Sequence, residues 1–227
     1  MRAVDDCRDL LASDENVARI RRSVYDAWAR IHIDAARRFP EVRRFRNNVR
    51  YVAQQSLRTL REQDGVQAAE AWITGRIAEF DGTDEFSDLV LAIQGYFEQT
   101  VSELVKSQDY DAALQTIDRG VELIGPDKVV RAARIACDQW ASRLSDQGRW
   151  SEAAAVYRRG LERFPKDYHL GRNAIAIWNS WATVYMDNQD WDTASEVYER
   201  ALEQFPDNRT LQNNLRYCRQ EKDKTQK

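Results

Sequence analysis

From Trp191 to Phe205 the apolar positions are Ala194, Val197, Tyr198, Ala201, Leu202 and Phe205, recurring at three- and four-residue steps. That period places them on one face of a helix. Before them, Trp178, Trp181, Ala182 and Tyr185 keep the same period, and the polar run Asn188, Gln189, Asp190 separates the two stretches. Two amphipathic helices joined by so short a turn predict an antiparallel hairpin. Such a pair carries more apolar face than it can cover alone, so it must stack on neighbours.

The punctuation of the chain repeats. Three of the four prolines close near-identical phrases: Arg38-Phe39-Pro40, Arg163-Phe164-Pro165 and Gln204-Phe205-Pro206. The fourth, Pro126, follows the variant Leu123-Ile124-Gly125. Proline suits these places because it cannot continue a helix interior. A small residue precedes each ending, at Ala35, Gly120, Gly160 and Ala201, and Gly75 fills the matching place in a further segment, so that the five are spaced by 40, 45, 40 and 41 residues. A period near 40 predicts an array of helical hairpins. Glycine inside a helix costs about 1 kcal/mol relative to alanine. Its recurrence at one place therefore predicts a neighbouring helix too close for a side chain.

Within the last segment the order is Trp178, Trp181-Ala182, Tyr185, then Trp191, Ala194, Tyr198, Ala201 and Pro206. The segment before it has Trp140-Ala141, Leu144, Gly148, Trp150, Ala153, Tyr157, Gly160 and Pro165 in register. A third runs through Phe97, Val101, Leu104, Tyr110, Ala113, Ile117 and Gly120, and a fainter one through Val52, Ser56, Ala68, Trp72 and Gly75. In these residues the chain resembles a tetratricopeptide repeat, clearly over 134–208 and more weakly over 50–133. The resemblance implies an all-α, right-handed superhelical solenoid of four to five antiparallel helix hairpins with a C-terminal capping helix. Read this way, 1–220 is a single repeat domain, with degenerate hairpins over 1–93, clearer repeats over 94–127, 134–167 and 175–208, and a cap over about 209–220. The family unit is about 34 residues, so the longer period implies lengthened helices or connections, with 168–172 one place for them. Residues 221–227 form a polar tail that should fray.

In this family the first helices of successive hairpins line a concave face that holds an extended peptide. The resemblance places Glu98, Gln99 and Ser102 on that face, then Asp138, Gln139 and Ser142, then Asn179, Ser180 and Thr183. Amides such as Gln99, Gln139 and Asn179 can donate to and accept from a peptide backbone. Family members that hold acidic chaperone tails use Lys, Arg and Asn here. Lys and Arg are missing from these positions, so the set favours a neutral or basic segment. The plainer alternative is a solvated polar wall.

The front of the chain is read from its own pattern. Ser13-Asp14-Glu15 marks a helix start, after which Val17, Ile20, Val24, Trp28 and Ile31 follow one face toward Pro40. This is the second helix of a hairpin whose first is short or missing, or whose partner is supplied by Leu10 and Leu11. Exposed apolar surface there would make self-association an alternative role.

Charge changes the picture only locally. The chain carries 34 Lys and Arg against 37 Asp and Glu, a net charge of −3, which does not suggest a general nucleic-acid or membrane-surface binder. Residues 1–61, however, hold 14 Arg, no Lys and 8 acidic residues, a net +6. Arg43, Arg44, Arg46 and Arg50 form a basic patch around the helical stripe Val42, Phe45, Val49 and Val52. Three readings stand for it: a solvated helix surface, a dock for an acidic protein, or a phosphate or nucleic-acid contact.

Catalytic chemistry is missing from the sequence. There is no Gly-rich phosphate loop, no Ser or Cys nucleophile motif and no Cys-x-x-Cys. His32 and His169 stand apart from any metal-ligand cluster, and Asp81, Asp84 and Glu85 lack calcium-loop spacing and read as a turn. The tryptophans and tyrosines recur at matched repeat places, as in Tyr110, Trp150 and Trp191, each three residues before an alanine, so they read as repeat core. Cys7, Cys137 and Cys218 are too widely spaced for a disulfide framework. No apolar run approaches the ~18 residues of a membrane span, and residues 1–6 do not open a secretory signal. The expectation is a non-catalytic scaffold or adaptor without cofactor. It is cytoplasmic or a piece of a longer chain, and it binds a protein or peptide partner.

Overall fold

The computed structural model describes residues 14–39, 41–80 and 86–225, and every regular element among them is a helix. Ten follow one another: α1 (Asp14–Arg38), α2 (Arg43–Asp64), α3 (Val66–Phe80), α4 (Phe86–Lys106), α5 (Tyr110–Ile124), α6 (Pro126–Asp146), α7 (Trp150–Arg163), α8 (Tyr168–Asp187), α9 (Trp191–Gln204) and α10 (Arg209–Thr225). Packing divides the chain into two compact units. One comprises Met1–Thr100 with Thr116–Val129, the other Val101–Gln115 with Val130–Lys227.

The turns within hairpins share one construction. Gln108, Gly148 and Gln189 all have positive φ, at 66°, 72° and 58°. The following amide reaches back across the turn: Asp109 N to Leu104 O at 2.9 Å, Arg149 N to Leu144 O at 2.8 Å and Asp190 N to Tyr185 O at 2.9 Å. This six-to-one bond is the Schellman closure of a helix C-terminus. Asp109 and Asp190 then cap the next helix, accepting from Ala112 N and Thr193 N at 3.1 Å each.

The Phe-Pro endings are equally regular. Phe164 and Phe205 leave the helix at φ −130° with ψ 65° and 64°. The residue before a proline is excluded from the α region, so the chain must turn there. Asp167 and Asn208 start the next helix by accepting from Leu170 N at 2.9 Å and Leu211 N at 3.1 Å.

The recurrent small residue explains the stacking. A Cβ on Gly120 would lie 3.0 Å from Val129 Cγ2 and 3.2 Å from Phe97 Cδ1. One on Gly160 would lie 2.8 Å from Cys137 Sγ and 3.3 Å from Leu170 Cδ1. In each case the second helix of a hairpin is wedged between its own first helix and the first helix that follows. Ala201, at the same repeat place, is fully buried in one cluster with Trp178 and Leu211. Gly75 departs from the expectation: no atom lies within 4 Å of its Cβ position, so this glycine is on an open helix surface.

In the first unit Val52, Leu57, Leu60, Ile73, Leu89, Ile93 and Phe97 are all at most 1 % exposed. In the second, Trp178, Trp181, Val197, Tyr198, Leu211 and Cys218 pack together. Of the stripe predicted for the front, Ile20, Val24 and Ile31 are exposed, while Val17 is half-buried and Trp28 packs on the core beside Ala29, which α1 buries against α2. Val49 and Val52 pack inward as the pattern requires, and Val42 is half-buried. Leu10, Leu11 and the acidic turn 81–85 lie outside the described residues.

The extra length per repeat lies in the first helices. α4 and α6 have 21 residues and α8 has 20, and 168–172 form the opening turn of α8. The capping helix runs past the expected 220 to Thr225. Lys222 pairs with Asp192 on α9, and Lys224 pairs with Glu221 at 2.6 Å. Both lysines complement the negative end of the helix dipole, which extends it beyond its apolar stripe.

Candidate partner-binding face

Asp138 lies midway along α6, among the residues expected to face a partner. Its Oδ1 accepts from the Tyr157 hydroxyl at 2.7 Å and from Asn173 Nδ2 at 2.9 Å. His169 Nε2 stands 2.6 Å from its Oδ2. One carboxylate thus ties α6 to α7 and α8. Burial, with the Asp138 carboxylate adding to it, pushes the Tyr157 phenol above its ordinary range, so it stays a donor. The arrangement recurs one repeat later, where Asn214 Nδ2 on α10 donates to Asn179 Oδ1 on α8 at 2.8 Å. Both amide contacts span 35 residues and join successive first helices. Asp138 and Asn179 therefore act as rungs between helices.

A second link lies one turn earlier. Arg134 Nε donates to Asp167 Oδ2 at 3.1 Å, and the Asp167 side chain is only 6 % exposed. Burial alone would raise the Asp167 pKa. The hydrogen bonds from Arg134 and from Leu170 N–H, with the charges of Arg134 and His169, outweigh it and hold the carboxyl below its usual value. A carboxyl depressed on folding contributes stability that is present above its unfolded pKa, near 3.9, and lost as pH falls through the lower folded value. Urea denaturation from pH 7 down to pH 2.5 should therefore show acid destabilisation that Asp167→Asn reduces. Parallel curves for the two proteins would contradict this linkage.

The remaining expected residues are distributed as follows. Gln139 and Ser142 are exposed and line a shallow cleft of about 480 Å³ with Val105, Lys106, Tyr110, Asp138, Arg143 and Asp146. Ser180 and Thr183 are exposed on α8, the Thr183 hydroxyl donating to Asn179 O at 2.9 Å. Glu98 and Gln99 belong to the first unit and the others to the second. Glu98 is half-buried and accepts from Gln94 Nε2 at 3.0 Å, and Ser102 is half-buried. Gln99 is exposed and lines a cavity of about 240 Å³ with Gln54, Gln55, Arg58, Arg61, Ala92, Gly95 and Tyr96. Burial there pushes the Tyr96 phenol up to about 12. Arg50 is exposed, while the side chains of Arg43, Arg44 and Arg46 lie outside the described residues.

The structure adds features that were not read from the sequence. The Tyr110 and Trp140 rings stack at 4.5 Å and 5° on the wall of a separate cavity. His169 has a carboxylate partner 31 residues away. The one signal for the rungs was the 41-residue recurrence of Asp138 as Asn179 and of Asn173 as Asn214.

Burial pushes the Cys137 thiol up to about 12 and raises that of Cys218, so both are held as unreactive thiols. His32 packs edge-on to Trp28 at 5.8 Å. Among the described residues, no group of three or more His, Cys, Asp and Glu side chains could hold a metal ion. No helix among them is long and apolar enough to cross a membrane.

Two tetratricopeptide repeat models match the chain, one over residues 139–173 and the other over residues 175–218. These residues carry tetratricopeptide repeats. No curated protein matches the chain. The tetratricopeptide models run from the Trp140 region of α6 through α9 and into α10. They therefore take in the Asn179–Asn214 rung, the Asn173 end of the other, and most of the expected second-unit face. Tetratricopeptide repeats are in general protein–protein interaction modules and typically non-catalytic.

Proposed function

We propose that this protein is a non-catalytic scaffold or adaptor that binds an extended segment of a partner protein across the first helices of its C-terminal hairpins. The observation that carries this reading is the division of labour on α6 and α8. Asp138 and Asn179 hold neighbouring helices together, while Gln139, Ser142, Ser180 and Thr183 are exposed between and beside them. A face braced in this way is preorganised, so little ordering free energy is lost on binding. Its exposed amide and hydroxyl groups suit the backbone of a neutral or basic peptide.

The test uses the whole chain as bait in native lysate, with mass spectrometry as readout. Gln139→Arg with Ser142→Arg should abolish capture of the specific partner, because two bulky cations fill the shallow cleft. Arg43→Glu with Arg46→Glu should leave capture intact. Loss with the second pair alone would move the function to the basic front.

A second reading, self-association, is favoured by α1. Ile20, Val24 and Ile31 are 44 %, 57 % and 64 % exposed on a single helix. Light scattering would then show concentration-dependent oligomers that Val24→Asp with Ile31→Asp dissolves.

A further inference from the structure

The cavity beneath Arg159 has a set of lining residues that the adjoining hairpins do not repeat. It encloses about 340 Å³, within the range of small-ligand clefts, and is floored by Trp140, Leu144 and Val156. Leu144 and Val156 are buried, whereas Trp140 and Tyr110 are half-buried and stack on each other at one wall. Ala155 also lines the cavity. Two guanidiniums stand at the mouth. Arg159 lies over the Trp140 ring at 5.9 Å, and Arg143 lines the same cavity. Both are exposed, and neither forms an ion pair among the described residues. The third, Arg149, is already satisfied by Glu152 at 2.7 and 2.6 Å.

The repeat itself supplies the control. Forty residues earlier the equivalent arginine, Arg119, is held by Glu122 at 2.7 Å and Glu70 at 3.3 Å. Forty-one residues later Arg200 packs over Trp181 at 4.9 Å and Trp178 at 5.8 Å. There the places of Arg143 and Ala155 are taken by Val184 and Glu196. The combination of Arg143, Ala155 and, over Trp140, an arginine outside any ion pair among the described residues therefore belongs to this hairpin.

We propose that this cleft binds an acidic peptide segment of a partner protein, an Asp or Glu whose neighbour is aliphatic. The carboxylate is received by Arg143 and Arg159, and the aliphatic side chain lies on Trp140, Leu144 and Val156. Planar guanidiniums give charge-assisted, bidentate hydrogen bonds to a carboxylate. The low-polarity floor strengthens them by excluding water. The inference rests on the reading of the chain as a protein-binding module, but it uses residues apart from Gln139 and Ser142.

The experiment titrates the full chain with three fluorescein-labelled pentapeptides: Gly-Glu-Leu-Glu-Gly and its Gln and Lys counterparts. Fluorescence anisotropy gives affinity, and the Trp140 indole N–H signal, assigned through Trp140→Phe, gives location. The acidic peptide should saturate below about 1 mM and shift the Trp140 signal, with the other two at least ten-fold weaker. Arg143→Gln with Arg159→Gln should weaken it at least ten-fold at unchanged circular dichroism. Ala155→Phe, which fills the cleft without altering charge, should do the same. Ser180→Arg with Thr183→Arg, on the first-helix face of α8 and outside this cavity, should leave this binding in place, which separates its fate from that of the first-helix face. No saturation at 1 mM, equal binding of the Gln or Lys peptide, or full affinity in both cleft variants would overturn the proposal. Tighter binding of adenosine monophosphate than of the acidic peptide would overturn it in favour of a nucleotide site.

Discussion

Phe97→Ala is expected to lower folding stability by about 3–5 kcal/mol. Phe97 is fully buried, packs edge-on to Tyr96 at 5.3 Å, and fills the space that Gly120 leaves open. Truncation removes its transfer free energy and leaves a void that cannot collapse. Gly120 has no side chain to move in, and Val129 is fixed on the far side. Urea denaturation followed by far-ultraviolet circular dichroism gives the number. A loss below about 1 kcal/mol would mean that the α4–α5 interface is not packed as described. Phe97→Leu keeps most of the volume and should recover more than half of the loss.

Gly160→Val is expected to lower stability by about 3 kcal/mol, against the sign of helix propensity. Propensity alone would favour replacing a mid-helix glycine. A Cβ at this position, however, meets Cys137 Sγ at 2.8 Å and Leu170 Cδ1 at 3.3 Å. Cys137 is itself buried and has nowhere to turn. Cys137→Ala should therefore rescue a large part of the loss, giving a coupling of about 1–3 kcal/mol in a double-mutant cycle. Additive effects would contradict the contact. Gly75→Ala is the contrasting case. With no atom within 4 Å of its Cβ position, alanine there should stabilise the chain by about 1 kcal/mol. The same repeat place thus carries opposite signs in two hairpins.

That contrast shows how far the repeat pattern reaches. Gly75, Gly120 and Gly160 are equivalent in sequence, and equivalence predicts close approach at all three. Whether a glycine is crowded depends on what the adjoining helix presents, here Phe97 and Cys137. The basic front is a similar case: the helix was readable, but of the face its period marked only Trp28 packs on the core, while Ile20, Val24 and Ile31 are exposed.

The candidate face divides along the same line. That Gln139 and Ser142 are exposed follows from their offset from the Trp140, Ala141 and Leu144 stripe. That Asp138 and Asn179 are tied to Asn173 and Asn214 does not follow from local pattern, because each partner is 35 residues away. The tryptophans are another instance. Their repeat spacing predicts core, and Trp178 and Trp181 are buried, yet Trp140 is half-buried and walls a cleft. What differs is the second helix of its own hairpin, where Ala155 stands in the place that Glu196 takes one repeat later.

The sequence by itself determined the helices, their turns, the period near 40 and the family. These depend on interactions within a few residues: the apolar period, the capping aspartates, the residue before each proline. The stacked helices decided which equivalent positions are crowded, which polar residues brace the array and which remain open to a partner. Those outcomes depend on side chains some 20 to 40 residues apart in the chain, which only the packing of one helix on the next brings within reach.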